Sequence, residues 1–451
     1  MKPKVSVYIP NHNYSKYLSQ AINSVIDQNY EDWELIVILD APIDDSNNLI
    51  KSFQEKLGDK IRVFENKSKK GLQYCANLAI AEAKGDYIIR LDSDDFFNES
   101  ALRIMSSYLD DNSDIAMVYT DYFYVDQQGN ILDVDTRKKL GEKDLAFDLP
   151  AHGACSMIRM DILNQIGGYS EKFNAQDGYD LWYKILEKHN IDNINTPLFY
   201  YRQHNSSLSK DSKRILKARQ KIKRHYANQK NENFKIAVVI GAKKNQGKYE
   251  NILEQTYKDT TLLNHTLIQA RLLKNNPKIL VSTDDESINK EIFKDGEILH
   301  VRNKRLNSSY ATRENIIKDA TDTLEKKYNY SPDIVIFLNC LTPLRNVDSI
   351  QEGIDTLILH DFDSVISVYE DLDLHFFHSK YGLEAVSKRR HKELRIEREA
   401  LFVDNRAFIV SKRKSIKENS SNGKKIGHVV MSREDSLNIR SSRDFKIAEI
   451  E

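Results

Sequence analysis

The sequence predicts an α/β protein of two domains, each built on a mostly parallel sheet, and three observations lead there. Two stretches open alike: residues 4–9 (KVSVYI) and 235–241 (KIAVVIG) are short apolar runs rich in β-branched residues, as strands buried on both faces are. Each run passes through a polar loop into a segment with apolar residues at helical spacing, 17–28 (YLSQAINSVIDQ) and 261–273 (TLLNHTLIQARLL). Strand and helix patterns then keep alternating, the signature of parallel sheets with crossover helices. A chain of 451 residues has room for two or three such domains at roughly 100–200 residues each.

In the first half, strands are expected at 34–39 (ELIVIL), 61–64 and 87–91 (YIIRL), with helices at 46–56, 72–83 and 99–110. In the second half, strands are expected at 278–282 (KILVS), 333–338 (DIVIFL) and 363–368 (DSVISV), with helices at 286–293, 312–327 and 347–359. Between the halves, 209–234 (SKDSKRILKARQKIKRHYANQKNENF) begins as a basic helix and ends in NQKNEN, a polar run without apolar anchors. The expected organisation is a domain over 1–210, a basic helix and linker over 211–234, and a domain over 235–451, with the boundary near 230. The helix carries a narrow apolar stripe (Leu208, Ile215, Ile222). It reads first as a solvated or interdomain helix, and second as a peripheral contact with an anionic membrane.

Composition narrows the function classes. The chain is 40% hydrophobic and 30% charged, with 67 basic and 67 acidic residues. That balance argues against a nucleic-acid binder, whose footprint is a basic excess. The three cysteines, Cys75, Cys155 and Cys340, fit neither a zinc motif nor a disulfide framework, so a reducing, cytoplasmic setting is expected. The opening MKPKVSVYIPNHN reads as neither a signal peptide nor a membrane span.

The densest chemistry lies at 90–95, RLDSDD. An apolar strand stops there at Asp92, Asp94 and Asp95, and open parallel sheets bind ligands beyond the carboxyl ends of their strands. Three crowded carboxylates repel one another, and a hard divalent cation shared with a substrate diphosphate would relieve that. In isolation, Asp-Xaa-Asp reads more readily as a solvated acidic turn or a helix N-cap.

Neighbouring blocks add to this. Residues 5–38 (VSVYIPNHNYSKYLSQAINSVIDQNYEDWELIVI), 71–95 (GLQYCANLAIAEAKGDYIIRLDSDD), 152–186 (HGACSMIRMDILNQIGGYSEKFNAQDGYDLWYKIL) and 197–209 (PLFYYRQHNSSLS), in this order and at these spacings, resemble the family 2 glycosyltransferases, which have a Rossmann-like GT-A fold. The resemblance implies that Pro10 and Asn11 face the nucleotide and that Asp40 contacts the base. Leu39 stands where the family usually has a second aspartate. It further implies Asp92 at the ribose or metal-bound water, Asp94 on a Mg or Mn ion and so on the donor diphosphate, and His204, with Arg202, near diphosphate or metal. Asp177 matches the general base, with Asp180 as the neighbour that could take that role. Trp182 and the aromatics at 199–201 read as core packing.

Residues 235–451 resemble cytidylyltransferases of the CMP-sialic acid synthetase type. The resemblance rests on IAVVIGAKKNQGKYEN, KILVSTDDESI, IVIFLNCLTPLRNVDSI, DFDSVISV, LFVDNRAFIV and the closing IGHVVMSREDSLNIRSSRDFKIAEIE. It implies a second Rossmann-like domain, of nucleotidyltransferase type, that takes CTP and an acidic sugar and admits a homodimer through this domain. Lys243 would be the phosphate-loop cation, with Lys244 and Lys248 as further candidates. Asn339, Arg345 and Asn405 would line the nucleotide or sugar pocket. Two departures stand out: Lys244 and Asn245 occupy positions usually held by small residues, and Asn438 and Arg440 replace two metal-binding aspartates. An arginine cannot ligate magnesium, though it can neutralise phosphate.

The expected function is transfer of a sugar from a nucleotide-sugar donor to a glycan or lipid-linked acceptor in surface-glycan assembly. The mechanism would be an inverting, metal-dependent displacement in the cytoplasm or at the inner membrane face. The C-terminal domain would be either a cytidylyltransferase or a non-catalytic binding or dimerisation module.

Overall fold

The computed structural model describes every residue except 1, 137–152, 174, 176, 205–211, 231–232, 246–250, 308–310, 372, 374, 381, 387–400, 418–419, 421 and 451. The chain divides into two compact units between Ile222 and Lys223.

In the first unit the order is β1 (Val5–Asn11), α1 (Ser15–Ile26), β2 (Trp33–Asp40), α2 (Ser46–Leu57), β3 (Ile61–Asn66), α3 (Leu72–Glu82), β4 (Tyr87–Arg90), β5 (Phe96–Phe97), α4 (Ala101–Asp111), β6 (Ile115–Val125), β7 (Ile131–Asp135), β8 (Ser156–Arg159), α5 (Met160–Ile166), α6 (Asp177–Leu186) and β9 (Asn190–Arg202). One mixed sheet runs β3-β2-β1-β4-β8-β6-β9-β5, with β7 on β6. Strands β3, β2, β1 and β4 are mutually parallel. Beyond them β8 pairs antiparallel with β4 and β6, β6 and β9 pair parallel, and β5 and β7 add antiparallel.

The period-two alternation along β1 explains why the sheet is covered on both faces. Val5, Val7 and Ile9 meet Leu18, Ile22 and Val25 of α1 in one core layer, while Tyr8 joins Ile36, Ile38 and the small α3 residues Cys75, Ala76 and Ala79 in another. Each large aliphatic side chain so buried contributes roughly 1.5–3 kcal/mol.

The start of β4 is held by a buried polar knot. Ser6 Oγ donates to Glu34 Oε1 at 2.6 Å and accepts from the Gly85 N–H at 2.9 Å, the Lys84 N–H reaches the same Glu34 oxygen at 2.7 Å, and Arg62 Nη2 pairs with Glu34 Oε2 at 2.7 Å. Gly85 has no room for a side chain, since a Cβ there would lie 2.6 Å from the Ser6 backbone nitrogen.

Helix α7 (Ser212–Gln229) runs across the division. It runs to Gln229, into the NQKNEN run expected to be linker. Ile215, Ala218 and Ile222 are buried, as the apolar stripe suggested, while Leu208 lies outside the described residues. Lys223 is buried too, pairing with Glu352 Oε1 at 3.2 Å. Among the described residues no helix is long and apolar enough to cross a membrane.

The second unit continues with β10 (Ile236–Ala242), the hairpin β11 (Thr256–Tyr257) and β12 (Thr260–Thr261), α8 (Leu262–Arg271), β13 (Lys278–Thr283), β14 (Ile298–Val301), α9 (Arg313–Tyr328), β15 (Ile334–Asn339), α10 (Val347–His360), β16 (Ser364–Asp371), the hairpin β17 (Phe376–Ser379) and β18 (Gly382–Ala385), β19 (Leu401–Lys412), β20 (Ile426–Val430) and α11 (Ser442–Ile450). Its main sheet is β14-β13-β10-β15-β19-β16-β20, with β14 to β15 parallel, β19 antiparallel to both neighbours and β20 parallel to β16. The α-helix expected at 286–293 does not form. Only a 3-10 turn stands at Lys290–Ile292, opened by the Asn289 side chain accepting from the Glu291 N–H. Eight residues interrupted by turn-forming Ser287 and Asn289 are too few to nucleate a helix without strong packing.

Gly85→Ala is expected to lower stability by about 1–3 kcal/mol, because the Ser6–Glu34 knot cannot move without breaking the β1–β4 register. A thermal melt of the variant against the parent chain checks this, and an unchanged midpoint would contradict it.

Candidate functional site

Strand β4 ends at Arg90, and the Leu91 N–H still reaches Tyr8 O at 2.9 Å, so the chain leaves the sheet only at Asp92. A tight turn follows, with the Asp95 N–H bonded to Asp92 O at 3.1 Å. The turn sends its three carboxylates to three different partners. Asp92 Oδ1 lies 3.0 Å from Arg90 Nε. Asp94 Oδ2 accepts from His204 Nε2 at 2.8 Å. Asp95 points inward, 1% exposed, with Oδ1 accepting from the Arg202 N–H at 2.8 Å. Burial, followed by the charges of Asp94 and Asp92, pushes the Asp95 carboxyl well above the usual carboxylate range. The three crowded carboxylates are thus turned toward three different partners within the protein.

Arg202 departs from expectation. Its guanidinium does not face a ligand space. It is 1% exposed and fully engaged: Nε donates to Asp94 O at 2.7 Å, Nη1 to Asp126 O at 3.1 Å and Gln127 O at 2.9 Å, and Nη2 to Gln20 Oε1 at 2.6 Å. The sheet makes this unavoidable, because β5 pairs Phe96 with Tyr200 and so lays the end of β9 directly beside the acidic turn. His204, two residues further on, is 6% exposed, and its ring stacks on Tyr17 with centroids 5.6 Å apart and meets Tyr14 edge-on at 5.8 Å. Sequence reasoning missed Tyr14, Tyr17 and Gln20. Their spacing of three, from the N-cap Tyr14 into the first turns of α1, was the available signal.

At the neighbouring strand ends, Pro10 is half-buried and Asn11 is buried, its Nδ2 donating to Ser46 Oγ at 2.8 Å while its Oδ1 has no partner among the described residues. His12 Nδ1 donates to Asp40 O at 2.6 Å, and Asp44 accepts from the Ser15 N–H at 2.8 Å, so the loops after β1 and β2 are tied together. The Asp40 carboxylate accepts from Asn66 Nδ2 and the Lys70 N–H at 2.8 Å and from the Gly71 N–H at 2.9 Å, which shapes the loop entering α3. Leu39 is 2% exposed and belongs to the core. Asp177 opens α6, though its side chain lies outside the described residues. Asp180 is 1% exposed, with Lys184 Nζ 3.7 Å from Oδ2. Trp182, Phe199 and Tyr201 are core residues.

The second unit does not gather its expected residues. Lys243 is exposed beyond β10, and Lys248 lies outside the described residues. Lys244 is held by Asp285, 2.9 Å from its Nζ. Arg345, expected in a nucleotide pocket, is 1% exposed and donates from Nη1 to the carbonyls of Asn339 and Ala407. Burial brings its guanidinium down to about 10. It borders a cavity of about 330 Å³ with Tyr257, Lys258, His265, Gln269, Glu434 and Asp435, and Lys243 is not among the lining residues. Asn405, likewise expected in the pocket, is buried in a closed set of bonds to Ser367, Ala407 and Ser436. Arg440 is exposed. Arg345 and Asn405 are spent on joining strands and loops because their polar groups are buried and have to be satisfied there.

All three cysteines are free and buried, and burial pushes the Cys75 and Cys155 thiols up to about 12 and Cys340 to about 11, which makes them poor nucleophiles. Among the described residues no group of three histidine, cysteine or carboxylate side chains stands ready for a metal. Carboxylate–imidazole pairs do occur, at Asp94–His204, Asp319–His300 and Asp371–His375, and of these Asp94–His204 stands beyond the carboxyl end of β4. A Mg or Mn ion bound by one or two protein groups and completed by phosphate and water oxygens needs no more than such a pair.

The family described as Glycosyl transferase family 2 matches residues 6–167. An uncharacterised glycosyltransferase of Methanocaldococcus jannaschii is 31% identical over 240 residues, covering 51% of this chain and 81% of that protein. The O-antigen biosynthesis glycosyltransferase WbnJ of Escherichia coli is 31% identical over 216 residues, covering 46% of this chain and 83% of that protein. Among solved structures, residues 1–349 of S. aureus TarS in complex with UDP-GlcNAc align at a TM-score of 0.42 and 17% identity, over 50% of this chain and 67% of that one. With an acidic turn at the end of β4 and relatives matched over four fifths of their length, the chain belongs to glycosyl transferase family 2.

Proposed function

We propose that the first unit transfers a sugar from a nucleoside-diphosphate sugar to a hydroxyl of a glycan or lipid-linked acceptor in surface-polysaccharide assembly. The observation that carries this reading is the Asp94–His204 pair, 2.8 Å apart, at the carboxyl end of β4. Such a strand end is where open α/β sheets take their ligands. The name of the Escherichia coli relative, an O-antigen enzyme, supports the acceptor class.

The residues divide the work as follows. Pro10, Asn11 and the loop shaped by Asp40 would receive the base and ribose, with Asp92 beside them. Asp94 and His204 would exchange their mutual bond for the donor diphosphate and its cation. A divalent cation, magnesium or manganese, would supply charge neutralisation for the departing nucleoside diphosphate. Asp177, at the N-terminus of α6, would take the proton of the acceptor hydroxyl as its oxygen attacks the anomeric carbon, and that single displacement inverts the centre. The burial of Asp180 against Lys184 supports giving the base role to Asp177 rather than to Asp180.

For the second unit, a non-catalytic binding or dimerisation role is favoured over cytidylyl transfer. The exposed Arg440 and the closed bonding of Asn405 support that choice. Such a role would be met by pairing of two copies, since Ile215, Ala218 and Ile222 of α7 are already buried and leave it no apolar stripe for a membrane.

Asp94→Ala is expected to lower donor-dependent release of nucleoside diphosphate by about 10²–10³-fold, the scale for losing one charge-stabilising group. Asp177→Asn should lose about 10²–10⁴-fold in transfer while still binding the nucleotide, as read by calorimetry. Full activity of Asp94→Ala would remove the basis of the reading. Supplied with CTP, magnesium and acidic sugars, the full chain should release no pyrophosphate, and release would restore the cytidylyltransferase reading.

A further inference from the structure

We propose that Tyr17 is a positioning residue for His204, setting the plane of the imidazole so that Nε2 is presented to the space in front of Asp94. The inference rests on the reading of Asp94 and His204 as the diphosphate-side pair.

His204 stands two residues beyond the end of β9, directly after the Gln203 N–H that bonds Val125 O of β6 at 2.8 Å. Its bond to Asp94 holds one ring atom, Nε2. What lies against the faces of a ring also bears on its plane. Tyr17 lies there, its ring inclined only 27° to the imidazole with centroids 5.6 Å apart. Tyr14 meets the imidazole at 61°, edge to face, and so opposes sliding more than rotation.

Tyr17 is itself held. It sits in the first turn of α1, whose Leu18, Ala21, Ile22 and Val25 are buried in the core. The Arg202 guanidinium lies over its ring, 4.7 Å from the centroid, and Lys16 Nζ lies 4.9 Å from it. Arg202 in turn is anchored by bonds to Asp94 O, Asp126 O, Gln127 O and Gln20. One aromatic ring thus contacts both the anchor beneath the site and the imidazole above it, and Tyr17 is half-buried rather than in the core. Groups that orient a metal-binding histidine without touching the metal typically alter affinity by about 10–100-fold when removed.

The test compares Tyr17→Leu and Tyr17→Phe in the full chain. Mn²⁺ binding, read from the loss of the free-ion electron paramagnetic resonance signal, should weaken about 10–100-fold in Tyr17→Leu and stay near the parent value in Tyr17→Phe. In metal-free protein, the ring ¹⁵N resonances of His204 should broaden or shift in Tyr17→Leu alone. Parent-like Mn²⁺ affinity in Tyr17→Leu overturns the proposal. If the unaltered chain takes up no Mn²⁺, the metal reading of Asp94 and His204 fails on its own. The positioning claim is then decided by the His204 resonances, and an unchanged spectrum in Tyr17→Leu overturns it.

Discussion

A buried guanidinium holds the front of the first unit together. Arg202 takes its place between the acidic turn after β4, the turn after β6 and helix α1, and it donates to a group from each. Leaving a guanidinium buried and unbonded would cost several kcal/mol, so the surrounding carbonyls have little freedom to move away. Through its backbone N–H it also binds Asp95, the carboxyl that turns inward. Asp94 is thereby placed by its neighbour on one side and by Arg202 on the other, and its own side chain is left for His204.

The acidic turn illustrates how a protein separates like charges without diluting them. Asp92 leans on Arg90, which is buried in β4, and the space around that arginine is kept by Gly153, where a Cβ would lie 2.8 Å from Nη2. Asp95 is the carboxyl most removed from water, and its proton affinity rises accordingly. The same three residues thus divide into one structural acid and two that face the strand ends.

The two units show how little an α/β sheet commits a chain to chemistry. Both have four neighbouring parallel strands followed by antiparallel ones. In the first unit the strand ends carry acids that meet a histidine. In the second, Arg345, Asn339 and Asn405 sit at comparable strand ends or loops and are consumed in bonds to backbone and neighbouring side chains. Function lies in what the strand ends present, and the sheet alone does not decide it.

Much of this was legible in the chain itself. The apolar runs opening β1 and β10, the alternation of strands and helices, and the stop of β4 at RLDSDD follow from local pattern, because burial on both faces of a sheet demands continuous β-branched residues. The eight residues at 286–293 misled, since helical spacing without length does not nucleate a helix. Local pattern could not assign partners. Asp94 finds His204 across 110 positions, and Arg202 finds Asp95 across 107 and Gln20 across 182. Nothing in the acidic turn distinguishes Asp95 from Asp92, and nothing beside His204 tells Arg202 to point inward. The sequence by itself determined which strand ends carry charge. The pairing of β5 with β9 decided which charges meet and which are buried, because hydrogen-bond partners are chosen by distance in space after the sheet has closed.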